Sequence, residues 1–210
     1  DGVVLCSPSK QHVKQIKKLS TTIKNIFCEK PLGLSVKEII DVKSEVKKSD
    51  LNLHVGFNRR YDPDFADLQQ SIKNNEVGDI HMIKITSRDP APPPIDYIKN
   101  SGGIFLDMTI HDFDMIKYLS DSEISEIYVK GRCFIDPQIK KAGDVDTAII
   151  SMKLKNGVLA TINNSRKAVY GYDQRIEVLG SKGILKVPNR LLSGLETVSY
   201  THLTLPTTTI

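Results

Sequence analysis

Three short apolar runs, GVVLC (2–6), NIFC (25–28) and LNLHVGF (51–57), alternate with two stretches of helical periodicity. That rhythm constrains the fold more than any other feature of the chain. Strands joined through helices run parallel, and the crossovers between them are right-handed. A continuous apolar run such as GVVLC suits a parallel strand buried on both faces. In the first connection Val13, Ile16 and Leu19 fall near helical spacing. In the second, Ser35 and Glu38 form a capping box, and Val36, Ile39, Ile40, Val42 and Val46 share one broad face. Residues 1–58 therefore read as a β-α-β-α-β unit with a parallel sheet.

Past residue 58 the pattern changes, and a second domain is expected over 59–198. Residues 62–78 predict a helix with Pro63 in its first turn, followed by a strand (80–88), a proline-rich loop (89–94) and a helix over 103–119. Five β-rich runs follow (125–135, 146–154, 157–165, 174–180 and 183–188), with Asn156-Gly157 as a hairpin signal between two of them. The fold class is α/β: a partial parallel domain, then an α+β domain whose open, mostly antiparallel sheet carries helices on one face. Residues 199–210 turn abruptly Thr-rich, which suits an exposed edge strand or a non-native tail; they are set aside as the latter.

Composition removes several function classes. The net charge of +4, from 29 basic and 25 acidic residues, is spread along the chain, so no nucleic-acid partner is expected. No apolar run approaches the roughly 18 residues of a membrane span, so no membrane partner is expected either. Cys6, Cys28 and Cys133 lack CxxC spacing and suit free thiols in the cytoplasm.

The second apolar run ends in Glu29-Lys30-Pro31, an odd way to finish a strand. Pro31 removes a backbone donor and pushes Lys30 toward an extended conformation. The turn would hold Glu29 and Lys30 at the strand C-termini, where open α/β sheets bind ligands. Farther on, Asp107 and His111 stand four residues apart in GGIFLDMTIHDFDMI (102–116), one helical turn on one face. A carboxylate so placed can orient an imidazole that takes a proton. Taken singly, Lys30 also reads as a solvated turn lysine, and the Asp107–His111 pair as a surface ion pair or a satisfied histidine. Asp114 could add an oxygen for a metal. However, Asp112 points elsewhere and no second histidine or cysteine stands at ligand spacing, so no metal is expected.

Together these pieces are more specific. CEKPLGLS, GFNRRYDPDF, SRDPAPPP, SGGIFLDMTIHDFDM and VYGYDQRIEVLG follow one another over residues 1–198 in a way that resembles the Gfo/Idh/MocA oxidoreductase family, and within it the myo-inositol 2-dehydrogenase branch. The resemblance implies a Rossmann domain that binds NAD, a second domain that covers the crevice and mediates a homo-oligomer (dimer or tetramer), and a small polyol substrate. It also implies that Lys30, Asp107 and His111 are a catalytic triad, with His111 as base. Ser7, Pro8, Glu29, Lys30 and Pro31 would line the cofactor site, with His12 as a companion or a helix cap. Arg60 and Tyr170 would lie near the polyol together with the triad, although Arg59 and Tyr172 compete for those two assignments. The expected reaction is NAD-dependent oxidation of myo-inositol or a close cyclic polyol. Open alternatives are another inositol isomer or a pyranose sugar under the same mechanism, and a non-catalytic sensor. The glycine-rich turn and acidic selector of such enzymes are missing from these residues, so the chain by itself is expected to be an inactive fragment.

Overall fold

The computed structural model describes residues 1–189; the segment 199–210 and the end of the expected second domain lie outside them. Its first part runs β1 (Gly2–Leu5), α1 (Ser9–Leu19), β2 (Asn25–Glu29), α2 (Val36–Ser49) and β3 (Asn52–Gly56). The three strands form a parallel sheet in that order, in register from Gly2↔Asn25 to Glu29↔Gly56. The capping box forms as the sequence predicts: Ser35 Oγ accepts from Glu38 N and Glu38 Oε2 accepts from Ser35 N.

Two successive right-handed crossovers in one direction place both helices on the same side of the sheet. Leu5, Ile26 and Cys28 are buried there against Ile16 of α1 and Val42 of α2. The expected two-sided burial is therefore not formed among the described residues. On the opposite face Val4 is 66 % exposed, and Phe27 stacks on His54. The apolar face of α2 is likewise only partly used, since Val36, Ile39 and Ile40 are exposed.

The second part continues through a 3-10 turn (Asn58–Tyr61), α3 (Pro63–Lys73), β4 (Ile80–Arg88), α4 (Ile95–Ser101) and a π-helical turn (Phe105–Thr109). Then come α5 (Ile110–Ser120), β5 (Ile124–Arg132), α6 (Pro137–Lys141), β6 (Thr147–Leu154), β7 (Leu159–Ser165), β8 (Asp173–Gly180) and β9 (Gly183–Val187). The sheet order is β5-β6-β7-β4-β8-β9, with β4 and β7 parallel and the other neighbours antiparallel. Ile83, Ile85, Ile150, Ile162, Ile176 and Val178 of the sheet bury against Phe65 and Leu68 of α3 and Met115, Ile116 and Leu119 of α5. Each such side chain contributes roughly 1.5–3 kcal/mol.

Two boundaries differ from the sequence reading. α3 stops at Lys73 rather than near Gly78, because Asn75 takes a left-handed conformation (φ 61°). The helix expected over 103–119 is interrupted by the π turn, which carries Asp107. The Asn156-Gly157 hairpin joins β6 to β7 as expected, with Gly157 at φ 90°. Among the described residues, no helix is long and apolar enough to cross a membrane.

Candidate active site

Lys30 leaves the end of β2 and is joined by a cis peptide bond to Pro31. Its ammonium donates to the Asp107 carbonyl oxygen (2.5 Å) and to Asp107 Oδ1 (3.0 Å), tying the parallel sheet to the π turn. Oδ1 also accepts from the Tyr97 hydroxyl of α4 (2.8 Å), and Oδ2 accepts from Arg166 Nη1 (3.1 Å). Burial by itself would raise the Asp107 pKa. The Lys30 charge and the bonds from Tyr97, Lys30 and Arg166 outweigh it and hold the carboxyl below its ordinary value. Tyr97 is pushed up to about 12, first by burial and then by its bond to the ionised Asp107.

In a regular α-helix residues 107 and 111 would stack on one face. The π turn changes that phase. Asp107 reaches Lys30, Tyr97 and Arg166, and no hydrogen bond joins it to His111. The carboxylate thus does not orient the imidazole, as the i, i+4 spacing had suggested. The His111 ring lies edge-on to Phe57 (6.4 Å between centroids), and its Nδ1 is buried with no hydrogen-bond partner among the described residues. Burial, then the charges of Arg59 and Lys30, lower its pKa to about 3 against a smaller opposing effect of Asp107. The ring is therefore neutral at physiological pH, and in this environment it is a weak base.

Lys30, Asp107 and His111 share one open cleft of about 690 Å³ with Asn58, Arg59, Asp89, Tyr172 and Gln174. Behind its wall lies a second buried network. Asp112 is fully buried and accepts from Arg59 Nη1, Ser87 Oγ (2.6 Å) and Asn164 Nδ2 (2.7 Å). Gln174, with its amide oxygen turned toward the guanidinium, accepts from Arg59 Nη2 (2.5 Å) and Nε (3.1 Å). Asp89 has its pKa raised, chiefly by burial, with Arg166 and Arg59 opposing and Asp107 and Asp112 adding.

Arg60 and Tyr170 do not line this cleft. Successive residues of a 3-10 turn point about 120° apart, so Arg59 and Arg60 diverge. Arg60 pairs with both oxygens of Asp114 (2.8 and 2.5 Å) and lies over the Tyr118 ring. Asp114 is thereby engaged by Arg60 and does not line the cleft with Asp107. Among the described residues, no three His, Cys, Asp or Glu side chains are grouped to hold a metal ion. The Tyr170 hydroxyl donates to Asp173 Oδ2 (2.7 Å) and accepts from Arg88 Nη1 (2.6 Å), while Tyr172, beyond the Gly171 turn, faces the cleft. Of the two pairs, Arg59 and Tyr172 line the cleft and Arg60 and Tyr170 do not.

Ser7, Pro8, Glu29 and Pro31 lie at the C-terminal ends of β1 and β2, beside the cleft rather than in its lining. His12 is buried, with Nδ1 2.8 Å from the Pro31 carbonyl oxygen and Nε2 2.7 Å from that of Ser7. It ties the two strand-end loops together and caps nothing. Asp89, Tyr97, Arg166 and Gln174 were not singled out from sequence. Asp89 and Gln174 fall inside motifs quoted for the family resemblance, whereas nothing local distinguishes Tyr97 or Arg166 from surface residues.

Residues 1–57 match the family described as an oxidoreductase family with an NAD-binding Rossmann fold, and residues 65–186 match the GFO/IDH/MocA C-terminal domain. The chain is 50 % identical over 189 residues to a myo-inositol 2-dehydrogenase of Thermotoga maritima, covering 90 % of this chain and 57 % of the relative. A putative myo-inositol dehydrogenase from Sinorhizobium meliloti superposes with a TM-score of 0.90 at 43 % identity, covering 95 % of this chain and 60 % of that one. A scyllo-inositol dehydrogenase from Lactobacillus casei, solved with NAD(H) and scyllo-inositol, gives 0.84 at 33 % identity, covering 96 % and 61 %. The chain spans a little over half the length of the curated relatives it matches. With both parts of the chain matched in order, and a parallel sheet set against a mixed one as in these structures, the chain belongs to the Gfo/Idh/MocA oxidoreductase family.

Proposed function

We propose that the protein containing this chain oxidises a secondary hydroxyl of myo-inositol, or of a close cyclic polyol, to a ketone with NAD. The observation that carries this reading is the meeting of Lys30, Asp107 and His111 in one polar cleft at the C-terminal edge of the parallel sheet. The inositol dehydrogenase names of its relatives point to the same class of substrate.

Ser7, Pro8, Glu29 and Pro31 would hold the nicotinamide half of NAD. They fit it: this edge of an open α/β sheet takes nucleotides, and the partly exposed Glu29 carboxylate offers an acceptor for a carboxamide N–H. NAD, when bound, takes up the hydride. His111 accepts the hydroxyl proton, for which a neutral ring is required. Lys30 sets a positive charge beside the oxygen as it becomes an alkoxide. Asp107 positions Lys30 rather than His111. Arg59, Asp89, Tyr172 and Gln174 would bond the remaining hydroxyls, whose number suits a lining of donors and acceptors better than an apolar substrate would. The outer face of the six-stranded sheet, with Tyr128, Ile149, Leu159 and Leu179 exposed, suits a second copy of the chain in a homo-oligomer.

The test is NADH absorbance with a panel of inositols and pyranoses, using full-length protein and its Lys30→Ala variant. Turnover of an inositol is expected, falling at least about 100-fold in the variant. Preference for a pyranose would move the substrate class. Binding without turnover would favour the sensor reading, and a variant within about tenfold of wild type would remove Lys30 from the chemistry.

A further inference from the structure

We propose that Arg166 is a positioning residue for the reaction: its buried guanidinium grips the Asp107 carboxylate so that the Lys30 ammonium stays only partly neutralised. The inference rests on the polyol-oxidation reading above.

Arg166 follows β7, and its N–H donates to the Asp146 carbonyl oxygen (2.8 Å), so the strand end fixes its backbone. The side chain is 1 % exposed. Nη1 bonds Asp107 Oδ2, Nη2 lies 3.9 Å from Asp144 Oδ2, and neither Nη2 nor Nε makes a hydrogen bond among the described residues. Burying a guanidinium with two of its three nitrogens unbonded costs free energy that an apolar side chain would avoid. Structure alone is a poor reason for this residue.

The charge arrangement supplies a better one. Lys30 and Tyr97 share Oδ1 of Asp107 while Arg166 holds Oδ2. Lys30 and Arg166 against Asp107 and Asp144 sum to zero, so Arg166 keeps the carboxylates beside the cleft from outweighing Lys30. With Arg166 removed, Asp107 and Asp144 would together outweigh Lys30, and the net charge would oppose rather than attract an oxygen becoming an alkoxide. Asp144 adds rigidity, because both its oxygens accept from Ile104 N (3.1 and 3.0 Å) just before the π turn. Gly103 permits that approach, since a Cβ there would stand 2.7 Å from Asp144 Oδ1. Arg166 therefore sits between the carboxylate that holds Lys30 and the one that anchors the turn carrying it. The groups around the cluster are Lys30 after β2, Tyr97 on α4, Asp89 after β4, Asp144 before β6, and Arg59 and His111 on the cleft side.

The experiment compares Arg166→Met and Arg166→Lys in the full-length protein, reading kcat, KM and the Asp107 carboxyl titration by NMR. Arg166→Met is expected to lower kcat about 100-fold with KM for the polyol within about threefold, and Arg166→Lys to recover at least about tenfold of the loss. The Asp107 titration should move to higher pH in Arg166→Met. An unmoved titration overturns the proposal whether or not any polyol is turned over, as does a kcat within about threefold of wild type. If Arg166→Met does not fold, Arg166→Lys decides: an Asp107 titration and a kcat both nearer wild type than those of Arg166→Gln support the proposal, and equal losses in the two variants overturn it. A wild type that turns over no polyol while the titration still moves refutes the substrate reading and leaves the hold on Asp107 supported.

Discussion

Replacing Asp112 by Asn changes one atom in the buried network behind the cleft, and the structure shows why that change should be expensive. Asp112 Oδ1 accepts from Arg59 and Ser87, and Oδ2 accepts from Asn164. An amide nitrogen at the Oδ2 position would face the Asn164 amide nitrogen. Asn164 cannot simply turn over, because its oxygen accepts from Thr109 Oγ1 (2.6 Å) and its nitrogen also reaches the Ser87 carbonyl oxygen (3.4 Å). At the Oδ1 position the nitrogen would face two donors, which is worse. The substitution thus leaves at least one buried donor unsatisfied, costing about 1–3 kcal/mol. It also removes the counter-charge of Arg59, whose side chain is only 11 % exposed and gains little from solvent. Breaking a buried pair in this way costs about 3–5 kcal/mol in other proteins. Because Asn keeps part of the bonding, a loss of about 3 kcal/mol is expected for Asp112→Asn. At a urea slope of about 2 kcal/mol/M that lowers the midpoint by about 1.5 M. The coupling can be isolated with Arg59→Leu, in whose background Asp112→Asn should cost about 1 kcal/mol or less. A cost under 1 kcal/mol in the wild-type background, or the same cost in both, would refute the reasoning.

Two further expectations follow from the site. The pKa of His111 is lowered from 6.5 to about 3 in the folded protein, so the unfolded chain binds the extra proton between those values. Stability is complete above about pH 6.5 and falls at about 1.4 kcal/mol per pH unit as the pH drops toward 3. His111→Gln should lack that slope in urea midpoints measured from pH 4 to pH 8, and parallel curves would show that the ring is not held neutral. The divergence of the two arginines is tested by steady-state kinetics: Arg59→Ala should raise KM for the polyol at least about tenfold, with Arg60→Ala within about threefold. The reverse order would put Arg60 back at the substrate.

What could be read from the sequence is what is local. The capping box at Ser35 and Glu38, the strand–helix rhythm of the first 56 residues and the Gly157 hairpin each depend on a few neighbouring residues, and each forms. Burial on one side of the parallel sheet was not legible, because it depends on what else covers the sheet. The π turn was not legible either, since no glycine or proline within Phe105–Thr109 marks it. That turn undoes the i, i+4 argument for Asp107 and His111 while leaving both residues in the cleft.

The paired arginines show the same limit more sharply. Residues 59–60 offer two guanidinium groups, and residues 112 and 114 offer two carboxylates. Only the pairing decides which arginine faces the cleft. Asp112, fully buried, draws Arg59 inward; Asp114, nearer the rim, holds Arg60 over Tyr118. Apolar residues of similar volume at such buried ion pairs are often as stabilising or more so, so stability is weak grounds for Asp112, Asp107 and Arg166. Asp107 lines the cleft, and Asp112 and Arg166 each bond a residue that does, Arg59 and Asp107, while the larger hydrophobic core of the same sheet is built from Ile, Leu, Val, Met, Phe and Ala. Buried Asp146 and Asp173 have structural partners, the backbone N–H groups of Phe134 and Ile135 and the Arg175 guanidinium. Two nitrogens of buried Arg166 have none among the described residues, as is expected where a side chain is held for a reaction at some cost in stability.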